Sequence, residues 1–161
     1  MNRSKFTFFL LGKKYGFNLS KTLKFVKKSQ FWSKSQINEY QNIQLQKLIK
    51  HAYKNVPYYK KQFDLLGLLP KDIKTKEDLQ KLPIINKKIV ADNFKDFLSK
   101  DFNSRKTLKR HTGGTTGLAF EFYNDVESWA INWAVKKRAF EWGNYEVGKH
   151  KLGVLAGGSL L

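Results

Sequence analysis

The sequence predicts an α/β fold: short N-terminal helices lead into a β-hairpin with a Gly/Thr loop and then into the start of an α/β sheet domain. Three observations carry this. Apolar residues recur at helical spacing, punctuated by Pro and Gly, through roughly the first hundred positions. From Arg105 the period changes to two on both sides of Thr112-Gly113-Gly114-Thr115-Thr116-Gly117. After one more helical stretch, Lys151 to Ala156 has the pattern of a short buried strand, ending at Gly157-Gly158-Ser159 and Leu160-Leu161. A lone strand with an apolar tail needs a sheet to join, so the expectation is an incomplete domain. The expected divisions are a basic segment 1–31, a helical region 32–104, and the start of the α/β core at 105–161.

The first segment opens on Met1-Asn2-Arg3-Ser4-Lys5 followed by Phe6-Thr7-Phe8-Phe9-Leu10-Leu11. Lys13 and Lys14 interrupt the apolar run, and no small-residue cleavage site follows, which argues against a secretory signal. The run is also far short of the ~20 apolar residues of a membrane span. Two readings stay open: a cationic, aromatic segment resting on an anionic bilayer, or an ordinary helix packed on the protein. Either is compatible with a cytoplasmic chain, membrane-peripheral in the first case.

Ser33 to Asn55 reads as a helix. Ser33 and Gln36 fit a capping box, and Ile37, Gln41, Leu45, Leu48, Ile49 and Ala52 recur along one face. Asn55-Val56-Pro57 stops it, because proline disfavours helical backbone in the residue before it. Tyr58 and Tyr59 then either anchor a turn or offer a stacking platform for bases. A second helix spans roughly Tyr58 to Leu66 and ends at Gly67, and Pro70 to Thr75 reads as a loop. Thr75 and Asp78 open a short helix closed by Leu82-Pro83, and Ile89 to Leu98 forms another helical patch. Beyond the hairpin, Asn124 or Asp125 caps a helix, with Glu127 closing the box. Val126, Trp129, Ala130, Trp133, Ala134 and Phe140 mark its buried face, and Gly143 is placed at its end.

Composition limits the function classes. The 31 Lys and Arg against 13 Asp and Glu give a formal charge of +18, with eleven of the basic residues in the first fifty against the single acid Glu39. Such a bias draws polyanions, although a Lys-, Asn- and Ile-rich vocabulary also describes a merely solvated surface. Nucleic acid is disfavoured as a partner because lysine outnumbers arginine, the usual reader of base edges. The chain has no cysteine, which excludes disulfides and thiol chemistry. His51, His111 and His150 lack neighbours at metal-ligand spacing, so no metal-binding residue is assigned. Nor does any catalytic nucleophile–base pair stand out.

The chemistry resides in the loop. Thr112, Gly113, Gly114, Thr115, Thr116 and Gly117 place three threonines and three glycines in six consecutive positions. Glycine allows close backbone approach, threonine adds hydroxyls, and successive N–H groups can converge on one anion. The loop is thus either a phosphate cradle or a flexible hairpin turn. It is not the Gly-x-x-x-x-Gly-Lys-[Ser/Thr] phosphate loop, since Leu118 takes the lysine position and a strand follows. The Gly113, Gly114, Gly117 spacing does not fit the dinucleotide fingerprint, and no Gly-x-Ser-x-Gly elbow occurs.

Thr112-Gly113-Gly114-Thr115-Thr116-Gly117 resembles the Ser/Thr/Gly-rich loop of adenylate-forming enzymes. The flanking sequence resembles the N-terminal part of one branch, the phenylacetate–coenzyme A ligase-like family, which includes members assigned to capsular polysaccharide biosynthesis. The residues concerned are Trp32-Ser33, His51-Ala52-Tyr53-Lys54-Asn55-Val56-Pro57-Tyr58-Tyr59, Asp78-Leu79, Leu82-Pro83-Ile84, Asn86-Lys87, Tyr123-Asn124-Asp125 and Trp129-Ala130. Together they cover 32–161. The resemblance implies ATP and Mg²⁺ as cofactors, a carboxylate substrate activated to an acyl-adenylate, and coenzyme A as a thiol acceptor. It makes 105–161 the start of an ATP-binding core, with the loop residues gripping the β- and γ-phosphates.

The sequence also departs from that pattern. Leu118-Ala119 replaces the Lys or Lys-Pro that often follows the loop, and Asn86 stands where Thr is common. The family is more than twice this length, and its adenine and ribose contacts, acyl pocket and mobile catalytic lysine would lie beyond Leu161. The chain is therefore expected to be an N-terminal portion that does not turn over alone.

Overall fold

A computed structural model describes residues 19–112, 121–146 and 149–151. Its helices are α1 (Leu19–Ser29), α2 (Lys34–Asn55), α3 (Pro57–Leu65), α4 (Lys87–Asp92) and α5 (Val126–Trp142). Short 3₁₀ segments lie at Pro70–Asp72, Lys76–Lys81, Phe94–Phe97 and Phe102–Ser104, and strands β1 (Thr107–His111) and β2 (Glu121–Asp125) pair antiparallel. Helices leading into an antiparallel hairpin are the α/β mixture that the sequence predicts. The chain condenses into two compact units, one of Trp32–Arg105 and one built from the described residues before and after it.

In the Trp32–Arg105 unit, α2 starts as its sequence dictates. The Gln36 N–H donates to Ser33 Oγ at 3.2 Å, and the Ser33 N–H donates to Gln36 Oε1 at 2.9 Å. The helix stops at Val56, whose extended backbone ends α2 and caps α3 at once. Pro57 occupies the first position of α3, where its missing N–H costs nothing. The Asn55-Val56-Pro57 break is thus a corner between two helices.

That corner folds Phe63 of α3 onto Ile49 of α2 and onto Ile73 beyond the Pro70–Asp72 turn, with Leu45, Tyr53, Leu68 and Leu82 packed around them. Phe63 and Ile73 are fully enclosed. The predicted stripe on α2 is narrower than expected. Leu48 is 61 % exposed and Ile37 is also exposed. Consecutive helical residues point about 100° apart, so packing that buries Ile49 leaves Leu48 outside.

Helix α3 ends on Gly67, whose φ of +63 is the left-handed conformation that favours glycine. The Leu68 N–H reaches Phe63 O at 3.0 Å and the Gly67 N–H reaches Asp64 O at 3.2 Å, which is the bonding of a Schellman cap. The stretch after Thr75 is a 3₁₀ turn, organised by the Asp78 carboxylate. It accepts from Lys81 Nζ at 2.6 Å, from the Lys74 N–H at 2.9 Å and from the Thr75 N–H at 3.0 Å. The Lys81 bond and the two backbone donors hold this carboxyl well below the usual carboxylate range.

The helical patch expected over Ile89–Leu98 is split. Asn86 caps α4 through its bond from the Ile89 N–H at 2.9 Å. At Asn93 the side chain donates back to Ile89 O at 2.9 Å, the backbone leaves the helix, and a 3₁₀ turn follows. Asparagine offering the backbone an alternative partner is the physical reason. Phe97 of that turn stacks on Tyr58 with centroids 4.1 Å apart and meets Tyr59 edge-on at 5.7 Å. Tyr58 and Tyr59 therefore anchor a turn.

In the other unit, α1 packs against α5. Val26 meets Ala134, with Leu23 alongside. Ala130 and Ala134 are buried one helical turn apart, and small side chains there let the helices approach. Polar bonds tie the pair further: Arg138 Nη1 donates to Val26 O at 3.2 Å, Trp142 Nε1 to Gln30 Oε1 at 2.9 Å, and Lys27 Nζ lies 2.7 Å from Glu141. Gly143 caps α5 with a negative φ, and the left-handed residue is Asn144, φ 54. The Asn144 N–H reaches Glu141 O at 3.1 Å, the Tyr145 N–H reaches Phe140 O at 2.9 Å, and the two rings pack at 5.2 Å. The expected terminal glycine thus stands one position before the residue that needs the unusual conformation. No described helix is long and apolar enough to cross a membrane. The strand expected over Lys151–Ala156 lies, apart from Lys151, outside the described residues.

Candidate phosphate loop and its hairpin neck

The hairpin is built from both ends. Asp125 ends β2 and caps α5, accepting from the Ser128 N–H at 2.6 Å. It is the cap, in preference to Asn124 with Glu127. It also pairs with Thr107 at the base of the hairpin, and from there the ladder runs Leu108–Asn124, Lys109–Tyr123, Arg110–Phe122 and His111–Glu121. Nine residues, 112–120, separate the last pair. The α5 N-terminus thus sits at the base of the hairpin, and β2 separates it in the chain from the connecting loop. This geometry differs from phosphate loops that feed a helix directly.

Of the predicted site residues, Thr112 follows β1 and is half-buried. Gly113, Gly114, Thr115, Thr116 and Gly117 lie outside the described residues. What the structure shows is the neck from which they spring. Residues two apart share a face of a strand, so Lys109, His111, Glu121 and Tyr123 face one way and Arg110 and Phe122 the other. Glu121 Oε1 lies 2.9 Å from Lys109 Nζ and 3.6 Å from His111 Nδ1.

The Lys109 bond holds the Glu121 carboxyl below its ordinary value, and Glu121 in turn raises the Lys109 ammonium. Arg110 is exposed on the opposite face. Two fixed cations and an imidazole against one carboxylate leave the mouth of the loop net positive, which suits an anion. Sequence reasoning gave Lys109 and Glu121 no role beyond strand alternation. Their opposite charges two and zero residues from the last ladder pair were the available signal.

A second polar cluster lies in the Trp32–Arg105 unit. His51 Nδ1 is 2.9 Å from Asn55 Nδ2, His51 Nε2 is 3.3 Å from Ser99 Oγ, and Ser99 Oγ–H donates to Asp101. Arg105 clamps the same aspartate at 2.8 and 3.0 Å. The Arg105 bonds first, and then Ser99, pull the Asp101 carboxyl down to about 2. With its proton directed to Asp101, Ser99 is a link in a latch rather than a nucleophile facing a base. The latch fixes the segment after Leu98 to the end of α2, where the Lys100 N–H also donates to Asn55 O at 2.8 Å.

Fold and neck together define a helical segment followed by a hairpin that presents a Gly/Thr loop from a cationic mouth. Among known proteins, the chain is similar to the phenylacetate-coenzyme A ligase of Escherichia coli (strain K12), with 35% identity over 101 residues, covering 58% of this chain and 23% of that enzyme. The enzyme of the same name from Aromatoleum evansii is 35% identical over 104 residues, 60% of this chain and 23% of its own length. That of Pseudomonas putida is 31% identical over 97 residues, 58% of this chain and 22% of its own. The chain thus spans less than a quarter of the length of these relatives. No protein-family model matches it. The three similarities support the phenylacetate–coenzyme A ligase-like resemblance carried by the motifs.

Proposed function

We propose that this chain is the phosphate-gripping N-terminal portion of an ATP-dependent, carboxylate-activating ligase. The observation that carries the reading is the coincidence of a Gly/Thr loop at a cationic hairpin mouth with similarity to three phenylacetate–coenzyme A ligases. In this reading a substrate carboxylate oxygen forms a bond to the α-phosphorus of ATP, and the bond from that phosphorus to the bridging oxygen breaks. Pyrophosphate leaves and an acyl-adenylate remains. A thiol, coenzyme A for the named relatives, then displaces AMP from the acyl carbon as the sulfur loses its proton.

Thr112, Gly113, Gly114, Thr115, Thr116 and Gly117 hold the β- and γ-phosphates with backbone N–H groups and hydroxyls, the kinds of donor that stabilise charge as it develops. Lys109 and Arg110 add a positive field at the neck. Leu118 provides no cation, so the neck supplies charge that the loop itself lacks. Glu121 is engaged by Lys109, and Mg²⁺ bound with the nucleotide would share in neutralising its phosphates.

The 161 residues carry the loop without a full active site, and turnover requires the portion of the relatives outside the match. The cellular setting that fits is cytoplasmic, and a role in polysaccharide biosynthesis is the pathway suggested by the motif resemblance. Carboxylate-dependent ATP–pyrophosphate exchange tests this. The isolated chain should show none, whereas the chain grafted onto the unmatched part of the Escherichia coli relative should restore exchange. Exchange by the isolated chain, or a folded but inert graft, counts against the proposal.

A further inference from the structure

We infer that the α2–α3 corner is a docking site for anionic phospholipid. A cleft of about 510 Å³ opens there, lined by Lys54, Val56, Pro57, Lys60, Lys61, Asp64, Leu65 and Lys100. Four ammonium groups face one carboxylate. Lys60 is already bound to Asp64 at 2.8 Å and sits over the Tyr53 ring. Lys54, Lys61 and Lys100 have no ion pair among the described residues. The backbone bond from Lys100 to Asn55 brings Lys100 to Lys54 and Lys61 although it is far from them in sequence.

The floor between them decides the occupant. Val56, Pro57 and Leu65 are apolar, and Leu65 is 71 % exposed, with Leu66 and Leu69 of the same turn also open to solvent. A soluble phosphate would meet lysines but gain nothing from exposed leucines. An anionic lipid satisfies both, its phosphodiester among the ammonium groups and its glycerol and first methylenes on the leucines. Leu65 lines the cleft itself, and Leu66 and Leu69 lie exposed on either side of Gly67, whose left-handed conformation turns the chain. Exposed apolar surface rimmed by like charge is the composition of a membrane-surface contact.

The test uses the full chain and vesicles of phosphatidylcholine with or without phosphatidylglycerol, read by co-sedimentation at low salt. Wild-type protein should bind only the mixed vesicles and release as salt rises. Lys54→Gln, Lys61→Gln and Lys100→Gln combined should weaken partitioning by about 100-fold, taking roughly 5-fold per lysine near an anionic surface. Leu65→Ser with Leu66→Ser should weaken it by about 10-fold or more, as apolar contact is lost. All five side chains are exposed, and an unchanged circular dichroism melt verifies folding. Lys24→Gln with Lys28→Gln on α1 is the control and should have the smaller effect. The inference is overturned if wild type ignores anionic vesicles, if the α2–α3 variants bind like wild type, or if the α1 control alone abolishes binding. It is equally overturned if inorganic pyrophosphate binds the cleft in a manner that depends on the lysines and not on the leucines.

Discussion

The Glu121 carboxylate lies 2.9 Å from Nζ of Lys109, which stands two ladder pairs below the point where His111 and Glu121 face each other and the Gly/Thr loop begins. This places a counter-charge at the mouth of a loop read as an anion grip. Replacing Glu121 by Gln frees Lys109 to face the loop. Pyrophosphate affinity, measured by calorimetry at low salt, should rise about 5-fold, which corresponds to roughly 1 kcal/mol for one charge at a surface. Lys109→Gln should weaken it by a similar factor. Equal affinity in both variants would remove the neck from the account.

The Asp101 latch makes a pH prediction. Its folded-state carboxyl titrates near 2, below the ordinary value of 3.8, because Arg105 and Ser99 bond the charged form. A depressed pKa stabilises the fold above the unfolded value and loses that contribution as pH falls through the interval from about 4 to about 2. Melting temperature should therefore drop on acidification across that window. Asp101→Asn should be less stable at neutral pH and show a shallower drop. Parallel curves for the two proteins would mean that the latch does not hold the segment after Leu98.

Gly67 tests the turn that ends α3. A Cβ there would meet nothing within 4 Å, so the cost of Gly67→Ala is conformational alone. The left-handed backbone should make it about 1 kcal/mol less stable in urea unfolding. A neutral result would mean that the turn adopts another conformation.

Phe63 tests the core of the Trp32–Arg105 unit. Phe63→Ala empties the position between Ile49 and Ile73 and should cost about 4 kcal/mol, enough to unfold a marginal unit. Ala134→Leu probes the α1–α5 contact in the opposite sense. Overpacking against Val26 should cost about 1–3 kcal/mol, read as a lower thermal midpoint.

How much of this was legible in the sequence depends on how local the cause is. The Ser33–Gln36 box, the Asn55-Val56-Pro57 corner and the period-two hairpin all depend on neighbours a few residues apart, and each is present. Leu48 was misplaced because the width of the buried face depends on which elements cover α2, and helical spacing alone does not say. Asn93 and Asn144 were missed because asparagine side chains and backbones have several outlets, and only context selects one. The packing of Val26 against Ala134 joins residues far apart in the chain, as does the gathering of Lys54, Lys61 and Lys100. Of the site, the loop composition was legible and its electrostatic neck was not, since pairing Glu121 with Lys109 requires the register.

The central claim is that residues 112–117 grip phosphate. The most direct measurement is calorimetric titration of the 161-residue chain with pyrophosphate, in wild type, Gly114→Val and Thr116→Val. One saturable site is expected in wild type, weakened at least about 10-fold in either variant with the thermal melt unchanged, as when donors to an anion are lost. Equal binding in all three proteins, or no saturable binding in wild type, would contradict it.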